Sequence, residues 1–221
     1  TAAKDNPNVI DLSQRQPAPD RLGELIKLVR GISLKRINAL VGTLFENVDD
    51  ALFDLAERAG SNAVQTEFFD GMREIRRKRH LVERLFHEQA SNAFNDFADG
   101  RSRASGSDAQ IPGAPNSGLA LVDDLELEES LAVSSMTAKA ENRLQRTLYQ
   151  VNQRLSVIIG GGKVEDSNNP IGPAALANAF RVAVREFEVN VQVKLIVFKL
   201  FERYVVAGLE SVYDEVNIEL I

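Results

Sequence analysis

Apolar residues recur at spacings of three and four along most of the chain, as they do in amphipathic α-helices. The pattern begins with a short predicted helix from Asp20 to Gly31. A second predicted helix follows, which Ser33 caps and Gly60 ends, because serine favours helix N-caps and glycine favours the residue after a helix. The first part of the chain is therefore predicted to be helical.

A third predicted helix covers residues 62–99, and Asn62 with Gln65 forms a capping-box pattern at its start. Its length would be roughly 57 Å, whereas a compact globule of this size is about 45 Å across. The helix must therefore kink, with Gly71 as the candidate position, or the fold must be elongated. The apolar stripe predicted to face the core consists of Phe68, Met72, Val82, Phe86, Phe94 and Phe97.

Residues 100–118 are rich in Gly, Ser, Ala and Pro, which is typical of a flexible linker. The linker separates a predicted N-terminal helical unit, 20–99, from a C-terminal helical unit, 119–221. Residues 1–19 lack periodicity and are predicted to be a flexible lead-in. The chain starts without Met and stops on apolar residues, so we expect it to be a fragment of a longer protein.

In the C-terminal unit, Asp123 and Glu126 form a second capping-box pattern that opens a long helix. Asn190 is predicted to cap a last helix that is apolar on nearly every face and therefore central. The predicted fold is all-α: an elongated bundle of about six helices, several of them long. The apolar positions of the long helix are Leu127, Leu131, Leu144, Leu148, Val151, Leu155 and Ile158.

The run Gly160-Gly161-Gly162-Lys163 suggests a phosphate-binding loop at first sight. A Walker loop needs a glycine where Val157 stands and a hydroxyl where Val164 stands, and acidic residues follow here. The glycines are therefore predicted to end a helix, with Pro173 in the first turn of the next one.

Composition narrows the function classes. The chain has no cysteine, which excludes thiolate catalysis and cysteine zinc sites, and a cytoplasmic location is the simplest prediction. No apolar run is long enough to span a membrane. The net charge of -6 argues against a nucleic-acid-binding protein.

His80, Glu83 and His87 would share one helix face and form a conceivable metal trio. Their spacing is not that of an HExxH site, and basic neighbours oppose a cation. We predict surface histidines and no metal, cofactor or catalytic site.

The third helix carries the main concentration of positive charge. It is predicted to be a solvated helix face or, as the sharper hypothesis, a docking site for an acidic partner. The acidic run 123–129 offers such a partner, in the same chain or in a second copy. Nucleic acid and anionic lipid come third, since no aromatic residues are interleaved with the charges. The basic residues are Arg73, Arg76, Arg77, Lys78, Arg79 and Arg84.

Two Arg-x-x-x-Arg pairs, Arg73 with Arg77 and Arg181 with Arg185, match the opening motif of PilZ-type cyclic-di-GMP receptors. The second PilZ motif and its β-barrel pattern are missing here. Both pairs are therefore interpreted as helix-surface arginines, with a cyclic-di-GMP role as the weaker alternative.

Several segments of the second half resemble the proteobacterial family called domain of unknown function 1631, and the likeness extends more loosely over 30–97. Some members of that family carry a thymidine phosphorylase label, but nothing here is similar to that enzyme's α/β phosphate-binding site. Others are associated with cyclic-di-GMP signalling through a PilZ-like region that this sequence lacks. The segments are LVDDLELEESLAVSSM (121–136), NQRLSVIIGGGKV (152–164), NNPIGPAALANAF (168–180) and VKLIVFKLFERYVV (193–206).

The sequence thus predicts a non-catalytic helical interaction module of a bacterial regulatory or signalling protein that contacts a protein partner and self-associates, as a dimer in the simplest case. A nucleotide-responsive regulator and an enzyme with an unrecognised site are the alternatives. The identity of the partner, the pathway and the oligomeric state do not follow from the sequence.

Overall fold

The computed structural model describes residues 19–100 and 124–220, and in these two ranges all regular structure is helical. This confirms the predicted all-α fold with several long helices. Residues 1–18 and 101–123, which hold the predicted lead-in and linker, lie outside the described residues. The helices are α1 (Pro19–Glu57), α2 (Asn62–Ala98), α3 (Asp124–Ile158), α4 (Pro173–Ala183), α5 (Val191–Tyr204) and α6 (Leu209–Glu219), and single 3-10 turns follow α4 (Val184–Glu186) and precede α6 (Val206–Gly208).

Helix α1 is one continuous helix of 39 residues, so the predicted break between Gly31 and Ser33 is wrong. Ser33 does not cap a helix but lies fully buried inside one. A glycine within a helix costs only about 1 kcal/mol relative to alanine. The apolar face of α1 continues past Gly31 and buries Val29, Leu34 and Ile37. The free energy gained by this burial outweighs the cost of the glycine.

Helix α2 confirms the predicted third helix, with the cap displaced by one residue. Ser61 is the N-cap, and its Oγ accepts a hydrogen bond from the Val64 N–H at 3.3 Å. The Gln65 side chain donates to the Ala56 carbonyl at 3.1 Å, so it ties α2 to the end of α1 instead of closing a capping box. All six residues of the predicted core stripe are buried.

The long helices α1 and α2 form an antiparallel hairpin, and α3 packs on the short helices α4, α5 and α6 and also contacts α1. Helix α1 contacts α5 and α6, α2 contacts α4, and α3 contacts all three short helices. The buried apolar residues form one cluster to which both halves of the chain contribute. At about 1.5 Å per residue the three long helices measure about 52–58 Å, as an elongated bundle requires. None of the described helices is long and apolar enough to cross a bilayer.

The predicted helix end at the glycine run is confirmed. Gly160 and Gly161 have φ angles of 75° and 86°, a region that residues with a side chain avoid. Helix α4 begins at Pro173, as predicted, and the Asn190 side chain caps α5 by accepting from the Val193 N–H at 2.9 Å.

The last predicted helix is two helices, α5 and α6, separated by a turn that ends at Gly208. A Cβ at Gly208 would lie 2.8 Å from Leu40 Cδ2, so the absence of a side chain lets the turn approach α1 closely. Tyr213 of α6 is fully buried, and its hydroxyl donates to the Ile171 carbonyl at 2.8 Å.

Replacing Glu141 of α3 with glutamine is expected to raise the stability of the fold at neutral pH. Burial raises the pKa of Glu141 above its ordinary value of 4.5, and the Asp166 carboxylate adds to the increase. The charged form is therefore disfavoured in the folded chain, and glutamine removes that penalty. The advantage should decline as pH falls through the raised pKa, and it should vanish below the pKa of an unfolded glutamate.

Urea unfolding of both proteins across a pH series measures this difference. Glu210→Gln, at an exposed position of α6, is the matched control for removal of one negative charge. A gain in stability that grows as the pH is lowered would contradict the prediction.

Candidate docking surface

The basic row of α2 comprises Arg73, Arg76, Arg77, Lys78, Arg79 and Arg84, the residues predicted to dock an acidic partner. Four of its cations, Lys78 among them, pair with carboxylates on α2 itself. Arg73 contacts Asp70 at 2.8 Å, Arg77 contacts Glu74 at 2.5 Å, and Arg79 contacts Glu83 at 2.8 Å. These pairs are three or four residues apart, so the helix itself brings the partners together.

Arg76 of the row contacts another helix. Its Nε donates to Asp49 Oδ2 of α1 at 2.6 Å. The guanidinium of Arg79 also lies over the Phe45 ring of α1, 5.8 Å from the ring centroid. Both contacts fasten α2 to α1, so these two cations contribute to packing within the hairpin.

Lys78 links α2 to the segment that follows α4. Its Nζ contacts Glu188 at 2.7 Å and Glu74 at 2.9 Å, and it donates to the Glu186 carbonyl at 2.7 Å. The hydrogen bonds to Glu188 and Glu74 raise the pKa of Lys78, and the bond from Lys78 lowers the pKa of Glu74. Lys78 is thus held by partners of its own chain.

Arg84 is the remaining member of the row. Its side chain is exposed, and it has no ion pair among the described residues. The row as a whole is therefore neutralised internally at five of its six positions. An acidic partner would have to displace these contacts in order to bind here.

Two described members of the acidic run 123–129, Glu126 and Glu129, pair with cations outside the basic row. Glu129 pairs with Lys194 of α5 at 3.0 Å, and Glu126 lies 3.9 Å from Arg185. Asp123 lies outside the described residues. Packing thus directs Glu126 and Glu129 towards the segment after α4 and towards α5, and docking of the basic row on an acidic partner stays a prediction.

The two histidines have separate partners. His80 Nδ1 lies 3.3 Å from Glu83, whereas His87 Nδ1 lies 2.6 Å from the Asn38 amide nitrogen of α1. Within 19–100 and 124–220, no group of three His, Asp or Glu side chains is placed to hold a metal ion.

A second concentration of positive charge forms a cleft between α1 and α2, which we call the basic cleft. Its volume is about 480 Å³. Lys27, Arg30 and Lys35 line it with no carboxylate among the lining residues, and Arg30 donates to the Asn95 side-chain oxygen at 3.0 Å. In the described part of the chain, none of these three cations has an ion pair. The remaining lining residues are Gly31, Leu34, Asn38, His87 and Ser91.

Sequence reasoning missed the basic cleft because it divided α1 at Gly31. That division placed Lys27 and Lys35 on different helices. On one continuous helix, residues 27, 31, 34, 35 and 38 share a face, and two cations then flank a glycine. The cleft could have been predicted from the sequence if the three- and four-residue spacing had been followed through Gly31.

The first turns of α3 form an arm, residues 126–135, in which no side chain is fully buried. From Glu126 to Ser135 every side chain is exposed or half-buried, and Met136 is the first buried residue. Leu127 and Leu131 are 50% and 61% exposed. These two apolar positions of α3 therefore lie outside the core, whereas its apolar positions from Leu144 to Ile158 are buried.

Comparison with known proteins gives one family. The family model described as protein of unknown function (DUF1631), N-terminal domain, matches residues 21–221. No curated protein and no solved structure matches the chain. The matched range includes both helical halves of the chain, in agreement with the resemblance carried by the second half. The chain therefore belongs to the DUF1631 family, in which it matches the N-terminal domain.

Proposed function

We propose that this domain is a non-catalytic assembly module that self-associates through direct protein contacts. The observation that carries the proposal is the α3 arm, in which Leu127 and Leu131 lie four residues apart on one exposed face. Helices that bind grooves commonly use apolar anchors at this spacing. Both halves of the molecule share one core, so the arm is held on a rigid body.

The two leucines supply a limited part of the binding free energy. Full burial of a leucine contributes roughly 1.5–3 kcal/mol, and half of each side chain is already covered, so each adds about 1 kcal/mol on association. About 2 kcal/mol does not offset the entropy lost on association. Polar contacts around the leucines must therefore contribute the rest.

The contacts of the basic row support a structural use of its charges. Its ion pairs join residues of α2 to one another, to α1 through Asp49, and to the segment after α4 through Glu188. Such contacts stabilise the packing of the helices that support the α3 arm. An assembly module requires both a stable helical core and an exposed contact segment.

Replacing Leu127 and Leu131 together with alanine is expected to weaken self-association about thirtyfold for each arm that docks, which corresponds to the roughly 2 kcal/mol contributed by burial of the two leucines. Sedimentation equilibrium over a concentration series measures the dissociation constant. Circular dichroism should show unchanged helicity, since alanine favours helices at least as well as leucine.

The matched control is Tyr149→Ala with Val157→Ala, which removes two apolar side chains from the same helix that are 64% and 66% exposed. The control should associate as the unaltered chain does. A chain that remains monomeric at every concentration from micromolar to millimolar would refute the proposed function.

A further inference from the structure

The proposed self-association requires two complementary surfaces, and the following inference rests on it. We infer that the α3 arm of one copy docks in the basic cleft of a second copy. The arm supplies carboxylates and leucines, and the cleft supplies cations and an apolar floor. The occupant of the cleft is therefore a second copy of this chain.

The cations of the basic cleft are available to an external partner. Lys27 and Lys35 are exposed, and no carboxylate of the described residues pairs with either of them. The basic row of α2, by contrast, is paired at five positions. An acidic ligand therefore gains attraction at the cleft without displacing an existing ion pair.

The cleft also has room for an apolar side chain. A Cβ built at Gly31 would have no atom within 4 Å, so the backbone there borders open space. Lys27 and Lys35 lie one turn before and one turn after Gly31, and Leu34 lines the same cleft. Leu28, 42% exposed, adds apolar surface on α1 next to the cleft residue Lys27. An entering leucine would thus lie between two cations.

The arm offers charges of the opposite sign. The Glu126 side chain is 63% exposed and lies 3.9 Å from Arg185, which is a loose contact. Glu128 is exposed, and the described residues provide no ion pair for it. Both carboxylates lie beside Leu127 on the helix, and the run 126–131 measures about 8 Å, which is shorter than the roughly 12 Å between Lys27 and Lys35 along α1.

Among the described residues, the arm of the same chain contacts α5 and the segment after α4, and not the basic cleft of its own chain. Glu129 of the arm is only 14% exposed at its side chain and pairs with Lys194 of α5 at 3.0 Å. Arg185, which follows α4, lies beside Glu126. The cleft instead lies where residues 27–38 of α1 meet His87 and Ser91 of α2. These anchors keep the arm against α5, so the cleft is left for another copy.

A charge-swap experiment tests the pairing. The cleft variant is Lys27→Glu with Lys35→Glu, which keeps the hydrogen bond from Arg30 to Asn95. The arm variant is Glu126→Lys with Glu128→Lys, which keeps the pair between Glu129 and Lys194. Each variant alone should self-associate at least tenfold more weakly than the unaltered chain, because like charges then face each other. An equimolar mixture should regain association, because both contacts in a mixed pair are again between opposite charges.

The control is Arg146→Glu with Lys199→Glu, which changes the net charge as the cleft variant does but at exposed cations outside the cleft. It should associate as the unaltered chain does. Sedimentation equilibrium of each protein and of the mixture, with one protein fluorescently labelled, measures these constants, and circular dichroism verifies the fold of each variant.

The outcomes separate this inference from the proposed function. If the unaltered chain associates and the leucine variant weakens association, but the cleft variant associates normally or the mixture is not restored, the pairing inferred here is wrong and the assembly function stands. If the unaltered chain does not associate at any concentration, the assembly function fails, and the pairing fails with it.

Discussion

Phe180→Ala is expected to destabilise the fold by about 3–5 kcal/mol, the usual cost of removing a fully buried phenylalanine. Phe180 of α4 has no exposed surface. Its ring stacks on Phe201 of α5 with 4.1 Å between centroids, and it makes edge contacts with Phe86 of α2 at 6.1 Å and Phe198 at 5.9 Å. Alanine would leave a cavity where three helices meet.

Denaturant unfolding followed by circular dichroism measures this loss. A domain has only about 5–15 kcal/mol of stability in total, so the variant should unfold at a much lower denaturant concentration. Tyr149→Ala, which truncates a 64% exposed ring, should change the stability by no more than about 0.5 kcal/mol. A loss below about 1 kcal/mol for Phe180→Ala would show that the aromatic cluster is not packed as described.

Gly71→Ala is expected to destabilise the fold by about 1–3 kcal/mol, the usual cost of overpacking, although alanine is the better helix former. A Cβ at Gly71 would lie 2.9 Å from both γ carbons of Val193. Val193 is fully buried and stands in the first turn of α5, so its side chain has little room to move. The glycine thus allows α2 and α5 to pack closely, and α2 continues through it as one helix.

The same substitution should reverse its effect when Val193 is also alanine. Val193→Ala removes both γ carbons that the new methyl group would meet, so Gly71→Ala in that background gains up to about 1 kcal/mol from helix propensity. Urea unfolding of the four proteins forms a double-mutant cycle, in which a coupling energy of about 1–3 kcal/mol is expected for residues in contact. A coupling energy near zero would mean that the two helices do not meet at this glycine.

The sequence predicted correctly those structural features that depend on residues close together in the chain. The stripe from Phe68 to Phe97 and the end of α3 at Gly160 depend on residues within a few positions of one another. The cap of α2 was predicted to within one residue, since Ser61 and Asn62 both suit that role and only the backbone conformation decides between them. The break assigned at Gly31 was wrong because a buried face can extend a helix through an unfavourable residue.

The docking surface could not be located from the sequence for a related reason. The composition of α2 shows its positive charge, but the partners of Arg76 and Lys78 lie 27 and 110 residues away in the chain. Ion pairing over such separations depends on how the helices pack. Only the folded chain therefore shows which cations are neutralised and which, such as Lys27 and Lys35, have no ion pair among the described residues.

The amino-acid sequence by itself determined that this protein is helical, where its long helices run, and which residues of α2 face the core. These features depend on interactions between residues three and four apart, which act within a short stretch of the sequence. The tertiary structure alone decided that α1 is continuous, that the basic row is paired internally, and that Leu127 and Leu131 remain uncovered. Those properties depend on which helices come into contact, because burial and ion pairing are set by neighbours that are distant in the sequence.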